Sequence, residues 1–170
     1  WDISRELAKA VKQKYPNCMI VMGGPQVPYK QSWLKENRDI CDVIVTYAGE
    51  RTFLEILKGN LTAPGIMTVD SYIPPKPDKH IEDIPSPYLS GLMDSLMKPN
   101  KNYSAIIETN RGCPYQCTFC DQEALYYNKI AKFDYDRVIK EIDWVVGHKI
   151  DFLYFADSNV GIFDRDVDFI

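Results

Sequence analysis

The 170-residue sequence has no excess of basic residues and no long apolar run. Its 20 Lys and Arg against 24 Asp and Glu give no electrostatic signal for binding nucleic acid or an anionic membrane. No stretch approaches the ~18 consecutive apolar residues that a transmembrane helix needs. Internal repeats and low-complexity tracts are also missing, and a hydrophobic content of 45% excludes wholesale disorder. The sequence therefore predicts a globular protein whose partners are neither nucleic acid nor membrane.

Cysteine is scarce and unevenly placed. Of the five cysteines, Cys113, Cys117 and Cys120 fall within eight residues, whereas Cys18 and Cys41 stand apart in or beside apolar runs. An odd count with this clustering does not fit a secreted disulfide framework. We therefore expect a cytoplasmic chain with one thiolate site and two buried bystander cysteines.

Apolar runs alternate with amphipathic stretches, and this alternation predicts an α/β fold. The first part contains candidate strands at 18–22, 42–47 and 65–70, and candidate helices at 1–14, 32–37 and 50–58. This order predicts a parallel sheet with right-handed crossovers. Ile3, Leu7 and Val11 recur at helical spacing and are expected to form the buried face of the first helix. Further along, strands at 104–109 and 151–156 flank a helix that Asp134 is expected to cap.

Proline marks the predicted domain boundary. Seven of the eleven prolines lie within residues 64–99, which indicates a linker. We assign residues 1–70 to a partial Rossmann-like domain, 71–102 to the Pro-rich linker and 103–170 to the start of a second α/β unit. Within the linker, residues 84–89 are apolar enough to pack against a neighbour. Because helical patterns are cut short at both ends, we expect the sequence to be a fragment of a longer protein.

The three clustered cysteines have the spacing of a metal site. Thiolates are soft ligands that suit iron–sulfur clusters and zinc. With only three thiolates, a 4Fe–4S cluster keeps one iron open for a substrate or cofactor. Zinc usually takes four ligands, and the further candidates lie far away in the sequence, namely Cys18, Cys41, His80 and His148. A redox-active dithiol of Cys117 and Cys120 leaves Cys113 without a role.

Residues 109–121, with the sequence TNRGCPYQCTFCD, resemble the signature loop of the radical S-adenosylmethionine (radical SAM) enzymes. The resemblance implies that Cys113, Cys117 and Cys120 ligate a 4Fe–4S cluster whose open iron binds S-adenosylmethionine. It also implies that Phe119 lies near the adenine. The end of the 151–156 strand would lie by the methionine part of the ligand, which makes Asp157, Ser158 and Asn159 candidate contacts. Asp157 is equally suited to cap a following helix.

The first part of the chain resembles the end of the cobalamin-binding domain that precedes the barrel in cobalamin-dependent radical SAM enzymes. The matching features are Gly23-Gly24-Pro25 after a strand, the apolar run from Asp42, and Gly49-Glu50 before Thr52-Phe53. The resemblance implies cobalamin contacts at Gly23, Gly24, Gly49 and Glu50, although Gly23 and Gly24 also suit a plain tight turn. It implies the C-terminal half of a Rossmann-like cobalamin-binding domain followed by the first βα units of a partial radical SAM barrel. Asp78-Lys79-His80 only half matches the cobalt-ligating motif of many cobalamin domains, so His80 is interpreted as a surface residue.

The resemblance implies a cobalamin-dependent methyltransferase acting on an unactivated carbon, with no catalytic side chain assigned. Expected partners are a small-molecule or peptide substrate and an electron donor such as flavodoxin or ferredoxin. Tyr126 and Tyr127 are candidates for lining the substrate side or for barrel packing. The alternatives are another radical SAM reaction, such as methylthiolation, ring rearrangement or ring closure, and a non-catalytic zinc- or cluster-binding module. Since a complete barrel takes roughly 250 residues, we expect this chain to expose an apolar sheet edge.

Overall fold

The computed structural model describes residues 2–75, 80–115, 117–120 and 130–169. The chain divides into two compact units, residues 1–76 and 77–170. The division falls inside the 71–102 segment that the sequence predicts as a linker, and residues from Ile81 onward pack in the core of the second unit. The predicted domain boundaries stay a prediction. Within the described ranges, no helix has both the length and the apolar character required to cross a membrane.

The first unit is built around a short sheet that has packed apolar residues on both faces. Its elements are α1 (Asp2–Lys14), β1 (Val21–Gly23), α2 (Gln31–Glu36), β2 (Val43–Val45), α3 (Glu50–Leu57) and β3 (Ile66–Met67). β1 and β2 pair in parallel, and β2 is central and fully buried. Ile44 packs on one side with Leu34, whereas Val43 and Val45 pack on the other side with Ile56. This burial on both faces explains the unbroken apolar run of the strand.

β3 runs antiparallel to β2, so the prediction of a fully parallel sheet is wrong at its third strand. The cause lies in the approach to β3. Thr52, in the first turn of α3, contacts the backbone before β3, where its hydroxyl donates to the carbonyl of Pro64 at 3.4 Å. A Cβ on Gly65 would lie 2.7 Å from the Thr52 hydroxyl, so only glycine fits there. The chain is therefore held at the end of the sheet where β2 finishes. From that end, β3 can extend along β2 only in the antiparallel direction.

The predicted buried face of α1 is also wrong. Ile3 and Leu7 are 85% and 64% exposed, and the residue that α1 buries is Ala8. Lys12, one turn after Ala8, pairs with Asp42 at 2.6 Å and donates to the carbonyl of Cys18 at 2.9 Å. These polar contacts and the small side chain of Ala8 turn the helix so that Ile3 and Leu7 face outward, whereas Val11 is half-buried.

The second unit contains a parallel strand pair and a small antiparallel ladder. Its elements are a 3₁₀ helix (Ile81–Asp83), α4 (Leu92–Leu96), β4 (Ser104–Ile107), β5 (Asn110–Arg111), β6 (Ala131–Lys132), α5 (Tyr135–Gly147), β7 (Phe152–Phe155) and a second 3₁₀ helix (Asp164–Phe169). β4 and β7 are parallel, with α5 in the connection between them. As predicted, Asp134 caps α5 by accepting a hydrogen bond from the backbone N–H of Arg137 at 3.1 Å.

One face of the β4–β7 pair is buried and the other is exposed. Ala105 and Ile107 pack against Val138 and Val145 of α5. The opposite face carries apolar side chains that are more than half exposed, at Ile106, Phe152 and Tyr154. The exposed apolar surface of this sheet is thus one of its faces, and the expected apolar edge stays a prediction.

The second half of the Pro-rich segment is fixed to the second unit. Tyr88 is buried, and its hydroxyl donates to the carbonyl of Ile106 at 2.6 Å and accepts from the N–H of the same residue at 3.0 Å. Arg137 of α5 donates to the carbonyl of Ile84 at 2.6 Å. The expectation that residues 84–89 pack against a neighbour is confirmed.

Candidate metal centre

The motif cysteines lie in a segment whose two ends are held together. The segment leaves β5 and returns at β6, and Arg111 pairs with Ala131 across this ladder. Arg165 supports both arms, because its guanidinium donates to the carbonyl of Thr109 at 2.9 Å and to that of Phe133 at 2.7 Å. The base of the loop is therefore fixed by backbone pairing and by the half-buried Arg165.

Asp157, at the C-terminal end of β7, binds the residues that open the loop. One carboxylate oxygen accepts from the N–H groups of Thr109, at 2.7 Å, and Asn110, at 3.2 Å. The other accepts from the Thr109 hydroxyl and from the Asn110 side-chain amide at 3.0 Å. A carboxylate has about four acceptor positions, and these four donors match that number. Burial raises the pKa of Asp157 above its ordinary value, and the hydrogen bonds from Thr109 and Asn110 oppose that shift.

The three motif thiols differ in their surroundings. Cys113 is half-buried, and the side-chain amide of Asn159 donates to its sulfur at 3.1 Å. Cys117 and Cys120 are exposed, and the N–H of Cys120 donates to the carbonyl of Cys117 at 3.0 Å in a turn. Across the described ranges, no three His, Cys, Asp or Glu side chains lie close enough together to hold a metal ion. One thiol is thus held in place by the protein, and the other two face solvent.

The donor set fits an iron–sulfur cluster with three protein ligands. All five cysteines are free thiols, and the three motif thiols provide soft ligands on one short segment. An amide that donates to a ligand sulfur is a feature that stabilises negative charge on such a cluster. His148, considered above as a further zinc ligand, lies at the end of α5, where it pairs with Asp94 at 2.8 Å.

The other two cysteines lie in the first unit and differ from each other. Cys41 is fully buried, and burial raises its pKa to about 11. Cys18 is exposed, so the expectation that it is buried is wrong. The strand predicted at 18–22 begins only at Val21, which leaves Cys18 in the connection after α1.

The candidate S-adenosylmethionine contacts are only partly brought together. Asp157 and Asn159 contact the start of the cysteine segment, and Ser158 between them is exposed. Phe119 is 90% exposed, so its predicted place beside the adenine stays a prediction. Tyr126 and Tyr127 lie outside the described residues.

The candidate cobalamin contacts lie at one end of the sheet in the first unit. Gly23 ends β1 opposite Val45, and a Cβ on Gly23 would lie 3.0 Å from the Val45 carbonyl oxygen. Gly49 caps α3, and a Cβ there would lie 3.5 Å from the Val45 side chain, while Glu50 begins the helix. Gly24 has a φ of +90° with open space beside it, which suits both a tight turn and a closely approaching ligand. Gly23 and Gly49 both lie against Val45 at the C-terminal strand ends, where open α/β sheets bind ligands.

Sequence reasoning missed the residues that support the loop. Thr109 and Asn110 are buried polar residues, and Arg165, from a distant part of the chain, donates to the carbonyl of Thr109. The sequence does show that the polar residues Thr109 and Asn110 stand directly between an apolar strand and the cysteine motif, which could have indicated a supporting role. For Arg165 the sequence offers no local signal, since its partners are backbone carbonyls.

No protein-family model matches the chain. The chain is 34% identical to the cobalamin-dependent radical SAM methyltransferase TokK of Streptomyces tokunonensis, over 99% of this chain and 27% of that protein. It is 32% identical to the 2-(S-pantetheinyl)-carbapenam-3-carboxylate methyltransferase of Streptantibioticus cattleyicolor, with the same coverage. The chain thus spans about a quarter of the length of these relatives.

A solved structure shares the fold. The cobalamin-dependent S-adenosylmethionine radical enzyme OxsB, with aqua-cobalamin and S-adenosylmethionine bound, matches with a TM-score of 0.69 at 20% identity. The match covers 98% of this chain and 25% of that one. The relatives and the fold agree with the cysteine motif, and this chain is homologous to about a quarter of the length of cobalamin-dependent radical SAM enzymes.

Proposed function

We propose that this chain forms part of a radical SAM enzyme that transfers methyl groups with the help of cobalamin. Cys113, Cys117 and Cys120 would hold a 4Fe–4S cluster, with S-adenosylmethionine at its open iron. When bound, the reduced cluster supplies the electron that cleaves S-adenosylmethionine, and the corrinoid supplies a methyl group for an unactivated carbon. The relatives' activity as methyltransferases supports this proposal.

In this proposal, the two units have separate tasks. The first unit is the C-terminal half of a Rossmann-like cobalamin-binding domain, with Gly23, Gly24, Gly49 and Glu50 at the corrinoid. The second unit is the beginning of the radical SAM barrel. Its exposed apolar sheet face, with Ile106, Phe152 and Tyr154, would be covered in a longer chain. This division follows the likeness in fold to OxsB, which extends over nearly the whole chain.

We assign binding and positioning roles, and no catalytic role, to the described side chains of the second unit. Phe119 and Ser158 are exposed and would contact S-adenosylmethionine. Asp157 would help to place the ligand through the loop that it holds, and a direct contact would require one of its four donors to give way.

The remaining partners follow from this chemistry. We propose a small-molecule substrate, an electron donor such as flavodoxin or ferredoxin, and a cytoplasmic location. Free thiols throughout the chain agree with a reducing compartment. The substrate's identity would depend on contacts that this chain alone does not provide.

The observation that carries the proposal is the approach of the β7 end to the cysteine segment. Asn159 and Asp157 bind the same segment that carries the thiols, so a ligand at the open iron would meet the strand end. This arrangement places polar side chains at the C-terminal ends of parallel strands, where barrel enzymes keep their sites.

The proposal is tested on the enzyme of which this chain forms part, by anaerobic reconstitution with iron and sulfide followed by addition of S-adenosylmethionine and dithionite. We expect formation of 5′-deoxyadenosine, and loss of that product in a C113A/C117A/C120A variant. A C18A/C41A variant is the matched control and should keep the activity. A protein that takes up a cluster and yet neither binds nor cleaves S-adenosylmethionine would contradict the radical SAM assignment. Corrinoid dependence is tested separately by the spectral change of added hydroxocobalamin, and an unchanged spectrum would contradict that part.

A further inference from the structure

The hydrogen bond from Asn159 to Cys113 is the most specific contact at the candidate centre. The side-chain nitrogen of Asn159 lies 3.1 Å from the sulfur, and both residues are partly buried. Among the described residues, Cys113 is the one motif thiol to which a side chain donates a hydrogen bond. The contact joins chain positions that are 46 residues apart, so it depends on the tertiary fold.

Both ends of this contact are held by other interactions. On the cysteine side, β5 pairs with β6 immediately before the motif, and Asp157 binds Thr109 and Asn110. On the asparagine side, the N–H of Ala156 donates to the carbonyl of Ile107 at 2.8 Å and extends the β4–β7 ladder. The bond is therefore made between two supported segments, and little conformational entropy is lost in forming it.

The direction of the hydrogen bond determines its electronic effect. A thiolate sulfur is an acceptor, and an asparagine amide nitrogen is a donor. Donation of a hydrogen bond to a cluster ligand stabilises negative charge on the ligand and the iron. Reduction adds one negative charge to the cluster, so the donor stabilises the reduced state more than the oxidised state. Partial burial strengthens the effect because the local dielectric is lower than that of water.

We propose that Asn159 is a positioning residue that fixes the Cys113 thiolate and raises the reduction potential of the cluster. The inference rests on the proposed function, since it requires a cluster at the three cysteines. It assigns the Asn159 amide nitrogen to the protein's own sulfur, in place of the direct S-adenosylmethionine contact expected from the sequence. Reduction of the centre is the step that this contact would favour.

The test compares two substitutions at Asn159 with the same two substitutions at Asn102. Asn159→Ala removes the donor, and Asn159→Asp keeps the shape and replaces the donor by an acceptor that repels the thiolate. Asn102 is exposed in the same unit, so Asn102→Ala and Asn102→Asp control for the loss of an amide and for added charge. Each reconstituted protein is first analysed for iron and sulfide, and its midpoint potential is then measured by an anaerobic redox titration followed by electron paramagnetic resonance.

We expect the potential to fall in Asn159→Ala, to fall further in Asn159→Asp, and to stay at the wild-type value in both Asn102 variants. Equal potentials in all five proteins, with full cluster content, would overturn the role of Asn159 and leave the proposed cluster site intact. A wild-type protein without any cluster would instead overturn the proposed function. If circular dichroism shows that Asn159→Ala does not fold, the isosteric Asn159→Asp variant decides the question by itself.

Discussion

At the scale of single residues, the candidate centre depends on side chains that hold the backbone. Asp157 accepts hydrogen bonds from two consecutive residues, Thr109 and Asn110, which are both almost fully buried. The sequence predicted that a polar residue at this strand end belongs to the site. It could not reveal that the partners of Asp157 are the first residues of the loop, because that contact bridges two strand ends 48 positions apart.

The first prediction concerns the pH dependence of Asp157. Burial raises its pKa above the ordinary value of 3.8, so folding favours the protonated form. The stability that protonated Asp157 contributes is therefore fully present below pH 3.8, and it is lost as the pH rises through the raised pKa. We expect the unfolding free energy of the wild type, minus that of Asp157→Asn, to fall with rising pH from 3.8 upward and then to level off.

This difference is measured by urea unfolding at a series of pH values. Asp151→Asn, at an exposed position after α5, is measured alongside as the control for the loss of a surface charge. A difference that increases with pH would mean that the hydrogen bonds from Thr109 and Asn110 outweigh burial.

The second prediction concerns the reactivity of the bystander cysteines. Burial raises the pKa of Cys41 from 9.0 to about 11, which lowers its thiolate fraction about 100-fold at neutral pH. Exposed Cys18 lacks this protection. In native protein at pH 8, mass spectrometry should therefore find Cys18 alkylated by iodoacetamide at least ~100-fold faster than Cys41. Equal rates in the native state, matching those in urea, would contradict the burial of Cys41.

At the scale of elements, α5 contacts both the sheet of the second unit and the Pro-rich segment. Its start is capped by Asp134, its inner face packs on β4, and Arg137 reaches the Pro-rich segment. The helix, its cap and the flanking strands were predicted from local patterns, since capping and periodicity are local properties. Local patterns did not predict that Ile3 of α1 faces outward or that β3 is antiparallel, because both features depend on polar contacts with distant residues.

The third prediction tests the cap of α5. Asp134→Ala removes the acceptor for the Arg137 N–H, and we expect a loss of about 1 kcal/mol in unfolding free energy. Asp143→Ala, on the exposed face of the same helix, should change stability by less than about 0.5 kcal/mol. Urea titrations followed by circular dichroism measure both changes. Equal losses in the two variants would show that the cap contributes nothing specific.

The fourth prediction tests the anchor between α5 and the Pro-rich segment. Arg137 pairs with buried Glu141 at 3.1 Å and donates to the carbonyl of Ile84. Arg137→Ala leaves the carboxylate buried without its partner, so we expect destabilisation of about 3 kcal/mol. The double variant R137A/E141Q should recover part of that loss because it removes the unpaired charge.

Limited proteolysis gives a second measure of the same anchor. We expect faster cleavage between residues 80 and 99 in Arg137→Ala than in Lys140→Ala, whose side chain is exposed on the same helix. Identical stability and cleavage in the two variants would contradict the anchoring role.

At the scale of the whole molecule, each unit has its own core and its own candidate ligand site. The cysteine motif alone identified the thiolate site, because a short ligand spacing is written directly in the sequence. The motif did not predict how the ligands are arranged, because the Cys113 thiol is held by Asn159 whereas the Cys117 and Cys120 thiols are exposed. Cluster binding should therefore remove the Cys117 and Cys120 thiols from solvent, as metal binding commonly completes its site.

The fifth prediction tests the central claim, that three thiolates hold a 4Fe–4S cluster with one open iron. The chain is reconstituted anaerobically with ⁵⁷Fe and sulfide, and Mössbauer spectra are recorded with and without S-adenosylmethionine. We expect about four irons per chain and a change at one of the four when S-adenosylmethionine is added, with no cluster in the C113A/C117A/C120A variant. A chain that binds only zinc, or whose cluster persists without the three cysteines, would contradict the account.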